Sequence, residues 1–123
     1  MKNTLLIDSA YINGKFIKSK HTFDVVNPAT GKVIASLPDL KVADCTKAII
    51  DADKAWKSWK NTTVLERCNT VRKWYDLIQQ YKDDLAEIMT LESGKPLSES
   101  RVEVDYGSSF VEWFSEEGKR AYG

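Results

Sequence analysis

The sequence is poor in the residues that most often carry chemistry. Among its 123 residues it has two cysteines and one histidine, too few side chains to complete a four-ligand zinc site. With His21 alone, a Cys–His or Ser–His–Asp arrangement would have to be built around that one residue. The six glycines spell neither G-x-G-x-x-G nor a P-loop, so neither of those phosphate cradles is written in the chain. An excess of either charge is also lacking. Eighteen basic and 18 acidic side chains cancel, which removes the basic footprint of a protein that grips phosphate backbones. No apolar run approaches the roughly 18 residues of a membrane span, and Leu5-Leu6-Ile7 is too short for a signal peptide. These absences lead us to expect a soluble, cytoplasmic piece with neither nucleic acid nor membrane as partner.

What is present is a patterned, 42% apolar chain, long enough for one domain and its core but too short for two. The first forty residues read as short strands. Tyr11-Ile12 and Phe16-Ile17 flank Asn13-Gly14-Lys15, and Asn-Gly is a strong hairpin signal because both residues tolerate positive φ. Phe23–Val26 and Val33–Leu37 are β-branched runs separated by Asn27-Pro28-Ala29-Thr30-Gly31, which reads as a turn. The connections are too short for parallel crossovers, so the expectation over residues 1–38 is an antiparallel meander of two hairpins.

After Pro38, over residues 39–123, the period is helical. Cys45, Ala48, Ile49, Ala52, Ala55, Trp56 and Trp59 recur at three and four. Thr63 followed by Glu66 forms a capping box for a second helix, whose stripe is Leu65, Cys68, Val71, Trp74, Tyr75, Ile78 and Tyr81. A break is expected between Tyr81 and Asp83, where Asp83-Asp84 with Glu87 can cap a fresh start. Gly94 is the expected C-cap of the next helix. Pro96 suits a first turn, and a last helix is predicted from Leu97 to Arg120. That helix aligns Val102, Tyr106, Ser109, Phe110 and Trp113 on one aromatic face. The architecture is an α+β fragment: hairpins followed by three or four helices. No later element of the chain can cover the last stripe, so a segment of a longer protein is expected.

The residues in view resemble the N-terminal part of the aldehyde dehydrogenase superfamily, and within it the succinate-semialdehyde dehydrogenases. The resemblance is carried by Tyr11-Ile12-Asn13-Gly14, by Asn27 to Gly31, by the frame of Asp44, Ala48, Ile49 and Ala52, by Glu66-Arg67 and by Thr90 to Leu97. Its most discriminating stretch runs from Glu103-Val104 through Tyr106, Ser109-Phe110 and Glu112 to Glu117, then Lys119-Arg120 and Tyr122-Gly123. It implies an α/β aldehyde dehydrogenase fold, of whose cofactor-binding domain residues 1–123 are one segment, with the Rossmann-like sheet incomplete here. The implied reaction is NAD- or NADP-dependent oxidation of an aldehyde, with a cysteine thiolate as nucleophile and a glutamate-activated water. The implied partners are the remainder of the enzyme chain and further copies in a homo-oligomer. The family's catalytic and cofactor-binding residues all fall beyond Gly123, so this segment is expected to bind no cofactor and to be inactive alone. The competing class is a non-catalytic interaction module that uses its apolar helix faces.

Individual candidates follow from both lines of reasoning. Cys45 and Cys68 lie on apolar helical faces and read as small buried hydrophobes rather than nucleophiles. His21, beside Lys20 and Thr22, reads as a solvated histidine rather than a base. Glu112 to Arg120 mixes signs and reads as a solvated face with local ion pairs. By resemblance, the carbonyls of Val25 and Val26 with Glu92 match a monovalent-cation site, which oxygen ligands suit; the alternative is a surface carboxylate at Glu92. Ser98, Val102 and Tyr106 match a wall of the substrate tunnel; the alternative is core packing against the missing sheet. The semialdehyde branch usually has glycine where this chain has Val102, which bears on the width of that tunnel.

Overall fold

The computed structural model describes residues 4–121; the expected Tyr122-Gly123 end of the family motif lies outside them. The chain divides after Asn61 into two units. In the first, strands β1 (Ala10–Ile12) and β2 (Lys15–Ile17) pair antiparallel with Ala10 opposite Ile17 and Ile12 opposite Lys15. Asn13 and Gly14 turn the chain with φ of 51° and 73°, the paired positive angles that the Asn-Gly sequence was read to supply. Tyr11 and Phe16 face each other across the ladder with ring centroids 5.2 Å apart. Strands β3 (Thr22–Val26) and β4 (Val33–Pro38) form the second hairpin, with a bulge between Val25 and Val26. Asn27 closes the turn by accepting the amides of Ala29 and Thr30 on its side-chain oxygen, at 2.9 and 3.2 Å.

Both hairpins form as expected, but as two separate two-stranded sheets rather than one continuous meander. The four-residue link spends its backbone groups elsewhere. The His21 amide donates to Ser19 Oγ at 3.1 Å, and the His21 carbonyl accepts from the Asp39 amide at 2.8 Å, which prolongs the β3–β4 pair instead. Helix α1 spans Val42–Trp59 and buries none of its residues. The expected stripe is present and open to solvent: Ile49 is 66% exposed, with Trp56 and Trp59 exposed beside it. Cys45 is therefore exposed, not the buried hydrophobe read from its helical position. Periodicity identifies a face but not whether a neighbour covers it.

The second unit is helical. Thr63 caps α2 (Val64–Gln80) with a reciprocal box: Thr63 Oγ1 accepts the Glu66 amide at 3.2 Å, and Glu66 Oε2 accepts the Thr63 amide at 2.7 Å. Tyr81 leaves helical geometry between α2 and α3 (Lys82–Ser93), at the expected break. Gly94, with φ of 75°, ends α3 in the left-handed region. Pro96 stands one residue before the helix in an extended conformation, rather than within its first turn. Helix α4 (Leu97–Glu117) follows, and its expected end to Arg120 tightens into a 3₁₀ turn over Gly118–Arg120. No helix among the described residues is long and apolar enough to cross a membrane.

The core of this unit lies between α4 and the pair α2 and α3. Cys68, Ala86 and Val104 are buried with Ser100, Ser108 and Ser115. Small residues at 100, 104, 108 and 115 share one side of α4, and they let the helices approach closely. Each serine has a partner. Ser108 and Ser115 donate to the carbonyls three residues back, at 3.0 and 2.6 Å, and Ser100 bonds Thr90 at 2.8 Å. The burial of Cys68 agrees with its reading as a small hydrophobe.

Candidate functional site

The side of α4 that faces away from this core carries the large apolar residues. Val102, Tyr106, Phe110, Trp113 and Phe114 are all substantially exposed, Tyr106 by 66%. Tyr106 and Phe110, one turn apart, meet edge to face with centroids 5.0 Å apart at 89°. Of the three tunnel-wall candidates, Ser98 and Val102 share one hollow of about 360 Å³ with Glu99 and Glu103. Tyr106 stands one turn beyond it. A larger hollow of about 670 Å³ lies further along α4, where Phe110, Trp113 and Phe114 meet Glu116 and Arg120. Phe114 was not among the face residues expected from spacing, and its place beside Trp113 was the available signal.

Directional contacts hold α4 from behind. Gln79 Nε2 on α2 donates to Ser108 Oγ at 2.7 Å, and Thr90 on α3 bonds Ser100. Ion pairs surround these: Lys82–Asp105 at 2.5 Å, Arg101–Asp83 at 2.8 Å and Arg72–Glu112 at 3.1 Å. The Arg72 guanidinium also lies 4.8 Å from the Tyr75 ring centre. The mixed-sign end of α4 forms local pairs, Lys119–Glu116 and Arg120–Glu117, as its sequence suggested. Hydrogen bonds from Lys119, with its charge, hold the Glu116 carboxyl below the usual carboxylate range. Neither Gln79 nor the buried serines were singled out from sequence. Their signal was the four-residue spacing of Ser100, Val104 and Ser108 opposite the aromatic stripe.

The cation candidates fall in different units. Val25 and Val26 belong to β3, where the bulge between them interrupts the regular pairing of the backbone. Glu92 is exposed near the end of α3, at the rim of an apolar groove of about 610 Å³ that Trp74, Ile88 and Met89 also line. Among the described residues no group of three or more His, Cys, Asp and Glu side chains stands together as a metal site. His21 is exposed on the link between the hairpins. The described glycines have structural places: Gly14 and Gly31 in turns, Gly94 at a helix end and Gly107 within α4. Gly118 lies against Cys68, where an added Cβ would come within 2.8 Å of the thiol sulfur.

Comparison with known proteins gives a consistent answer. The sequence model of the aldehyde dehydrogenase family matches residues 16–123. A glutarate-semialdehyde dehydrogenase of Pseudomonas aeruginosa is 46% identical over 121 residues, 97% of this chain and 25% of that protein. An NADP(+) succinate-semialdehyde dehydrogenase of Escherichia coli K12 is 44% identical over 124 residues, 98% of this chain and 26% of that protein. The crystal structure of an aldehyde dehydrogenase from Brucella melitensis biovar abortus superposes with a TM-score of 0.94 at 47% identity, covering 97% of this chain and 25% of that one. The chain thus spans about a quarter of the length of the curated relatives it matches.

Proposed function

The chain belongs to the aldehyde dehydrogenase family, and from that premise we propose that it is the N-terminal quarter of an NAD(P)-dependent enzyme that oxidises succinate semialdehyde to succinate. The observation that carries this reading is similarity along nearly the whole chain to enzymes named for succinate and glutarate semialdehydes. Both substrates are aldehydes that end in a carboxylate. A nicotinamide cofactor supplies the hydride acceptor for such a reaction. Of the described glycines, Gly14 and Gly31 serve turns, Gly94 a helix end, and Gly118 lies against Cys68. The sequence spells neither G-x-G-x-x-G nor a P-loop, and on that ground we assign cofactor binding and the thiolate chemistry to the remainder of the parent chain. This segment is inactive alone, and the parent works in the cytoplasm as a homo-oligomer.

The segment's own part is to scaffold the cofactor domain and to present α4 as one wall of the substrate tunnel, through Ser98, Val102 and Tyr106. Support comes from the exposure of that face and from the hollow at Ser98 and Val102. Valine at 102 narrows the passage relative to glycine, which favours slender, unbranched aldehydes. The monovalent-cation reading of Val25, Val26 and Glu92 rests on the family resemblance.

The test is made on the full-length enzyme with succinate, glutarate and a branched semialdehyde. NAD(P)H formation should favour succinate semialdehyde, and Val102→Gly should raise kcat/KM for the branched substrate by about tenfold, the worth of one or two methyl groups in a pocket. Equal response to all three substrates in Val102→Gly would remove α4 from the tunnel. Turnover by the 123-residue chain alone would overturn the assignment of chemistry to the remainder.

A further inference from the structure

We propose that the Gln79–Ser108 hydrogen bond is a positioning contact that sets the rotation of α4 about its axis, and so the direction in which Tyr106 meets the aldehyde; this rests on the tunnel reading of α4. The buried side chains at the back of α4 are Ser100, Val104, Ser108 and Ser115, none larger than valine. Large side chains lock a helix's rotation by fitting between the ridges of the next helix, and small ones do so less. Directional bonds must then supply the missing specification. Ser108 is buried and donates its hydroxyl proton to the Asp105 carbonyl at 3.0 Å. That leaves its oxygen as an acceptor, and Gln79 Nε2 meets it at 2.7 Å from α2. The other directional bond at the back of α4, Thr90–Ser100, holds its first turn, two turns before Ser108, and the ion pairs at the edges join half-exposed side chains and hold rotation weakly.

Tyr106 lies two residues before Ser108, about 200° around the helix, so the bond at the back sets the bearing of the ring at the front. A rotation of about 10° carries the tyrosine hydroxyl by about 1.5 Å, given a ring tip some 8–9 Å from the axis. Displacements of that size change rates strongly when a substrate must be aligned. A purely structural bond, by contrast, lowers the amount of folded enzyme and scales turnover of every aldehyde alike.

The experiment uses the full-length enzyme carrying Gln79→Leu, Ser108→Ala, both together, or Tyr106→Ala, with succinate and glutarate semialdehydes as the probes. Gln79→Leu and Ser108→Ala should each shift the ratio of kcat/KM between the two substrates about three- to tenfold, with kcat changed as well as KM because the aldehyde is misaligned. The double variant should shift it no further, because the same bond is broken once. Unchanged ratios in both single variants, beside a changed ratio in Tyr106→Ala, would overturn the positioning role and leave the tunnel reading intact. An unchanged ratio in Tyr106→Ala would overturn the tunnel reading, and the positioning role with it.

Discussion

Up to Asn61 the chain carries Ile49, Trp56 and Trp59 on one helix and buries none of them, while beyond it the smaller Ser100, Val104, Ser108 and Ser115 of α4 are closed off from solvent. Hydrophobicity alone would predict the reverse. The difference lies in what each helix has as a neighbour within its own unit. Helix α4 packs on α2 and α3 along its length. The first unit has two hairpins of three to six residues per strand, too little surface to cover an eighteen-residue helix. The second unit obeys the same rule on its other side, where Tyr106, Phe110 and Trp113 face solvent. Three half-exposed aromatics on one helix are worth on the order of 10 kcal/mol if covered, at about 25 cal/mol per Å² and about 150–250 Å² for each ring.

A matched pair of substitutions should widen that contrast most. Ala86 is completely buried, and Ile49 is largely exposed. Ala86→Asp forces a carboxylate into the contact between α3 and α4 and should cost about 3 kcal/mol or more. Ile49→Asp should change stability by no more than about 0.5 kcal/mol, as exposed substitutions do. Urea unfolding followed by circular dichroism, with hydrogen exchange of the α2–α4 amides, measures both. A comparable loss from Ile49→Asp would show that the face of α1 is covered in solution, and the contrast between the units would disappear.

A smaller effect is expected where α2 meets the end of α4. Gly118 stands so close to Cys68 that Gly118→Ala brings the new methyl carbon within 2.8 Å of the buried sulfur unless something shifts. Such overpacking should cost about 1–3 kcal/mol. Cys68→Ala removes the obstructing sulfur, so the double variant should be more stable than the two single costs added together. Additive costs in denaturant melts would mean that the thiol turns aside freely and that the contact is looser than the distance implies.

Which parts of this could be read beforehand follows from how far each signal reaches. Asn13-Gly14, Thr63 with Glu66, and Gly94 act within four residues of themselves, and each appears where the sequence placed it. The aromatic face of α4 was legible too, because its period is unambiguous. The exposure of Cys45 was not, since whether a stripe is covered depends on residues far away in the chain. The buried serines escaped for a related reason. A hydroxyl on a helix reads as surface until close helix packing and a partner such as Gln79 are known. Among the candidate site residues, the resemblance alone led to Ser98, Val102 and Tyr106, but the contacts that hold their helix appeared only with the fold.

The subtlest difference between the units lies at the starts of α1 and α2. At α2 the box is reciprocal, and the Thr63 amide and hydroxyl, both bonded to Glu66, hold that carboxyl below its usual range. A carboxylate lowered in the native state contributes stability that is complete above its ordinary value, near 4.3, and is lost as pH falls through the lower native value. Glu66→Gln should therefore flatten that acid limb of the melt. At α1 only half of the box exists. Asp44 accepts the Lys41 amide at 3.0 Å, but a lysine at the cap position has no side-chain acceptor to return the contact. Lys41 already has the extended backbone of a cap residue, with φ of −89° and ψ of 164°. Lys41→Ser should complete the box without moving the chain and should add about 0.5–1 kcal/mol to helix stability. Thr63→Ala should remove about 1 kcal/mol from the other unit by the reverse change. Circular dichroism melts of both variants at neutral pH read the two effects. If Lys41→Ser gives no gain while Thr63→Ala gives its full loss, the start of α1 is limited by the absence of packing behind it and not by its cap.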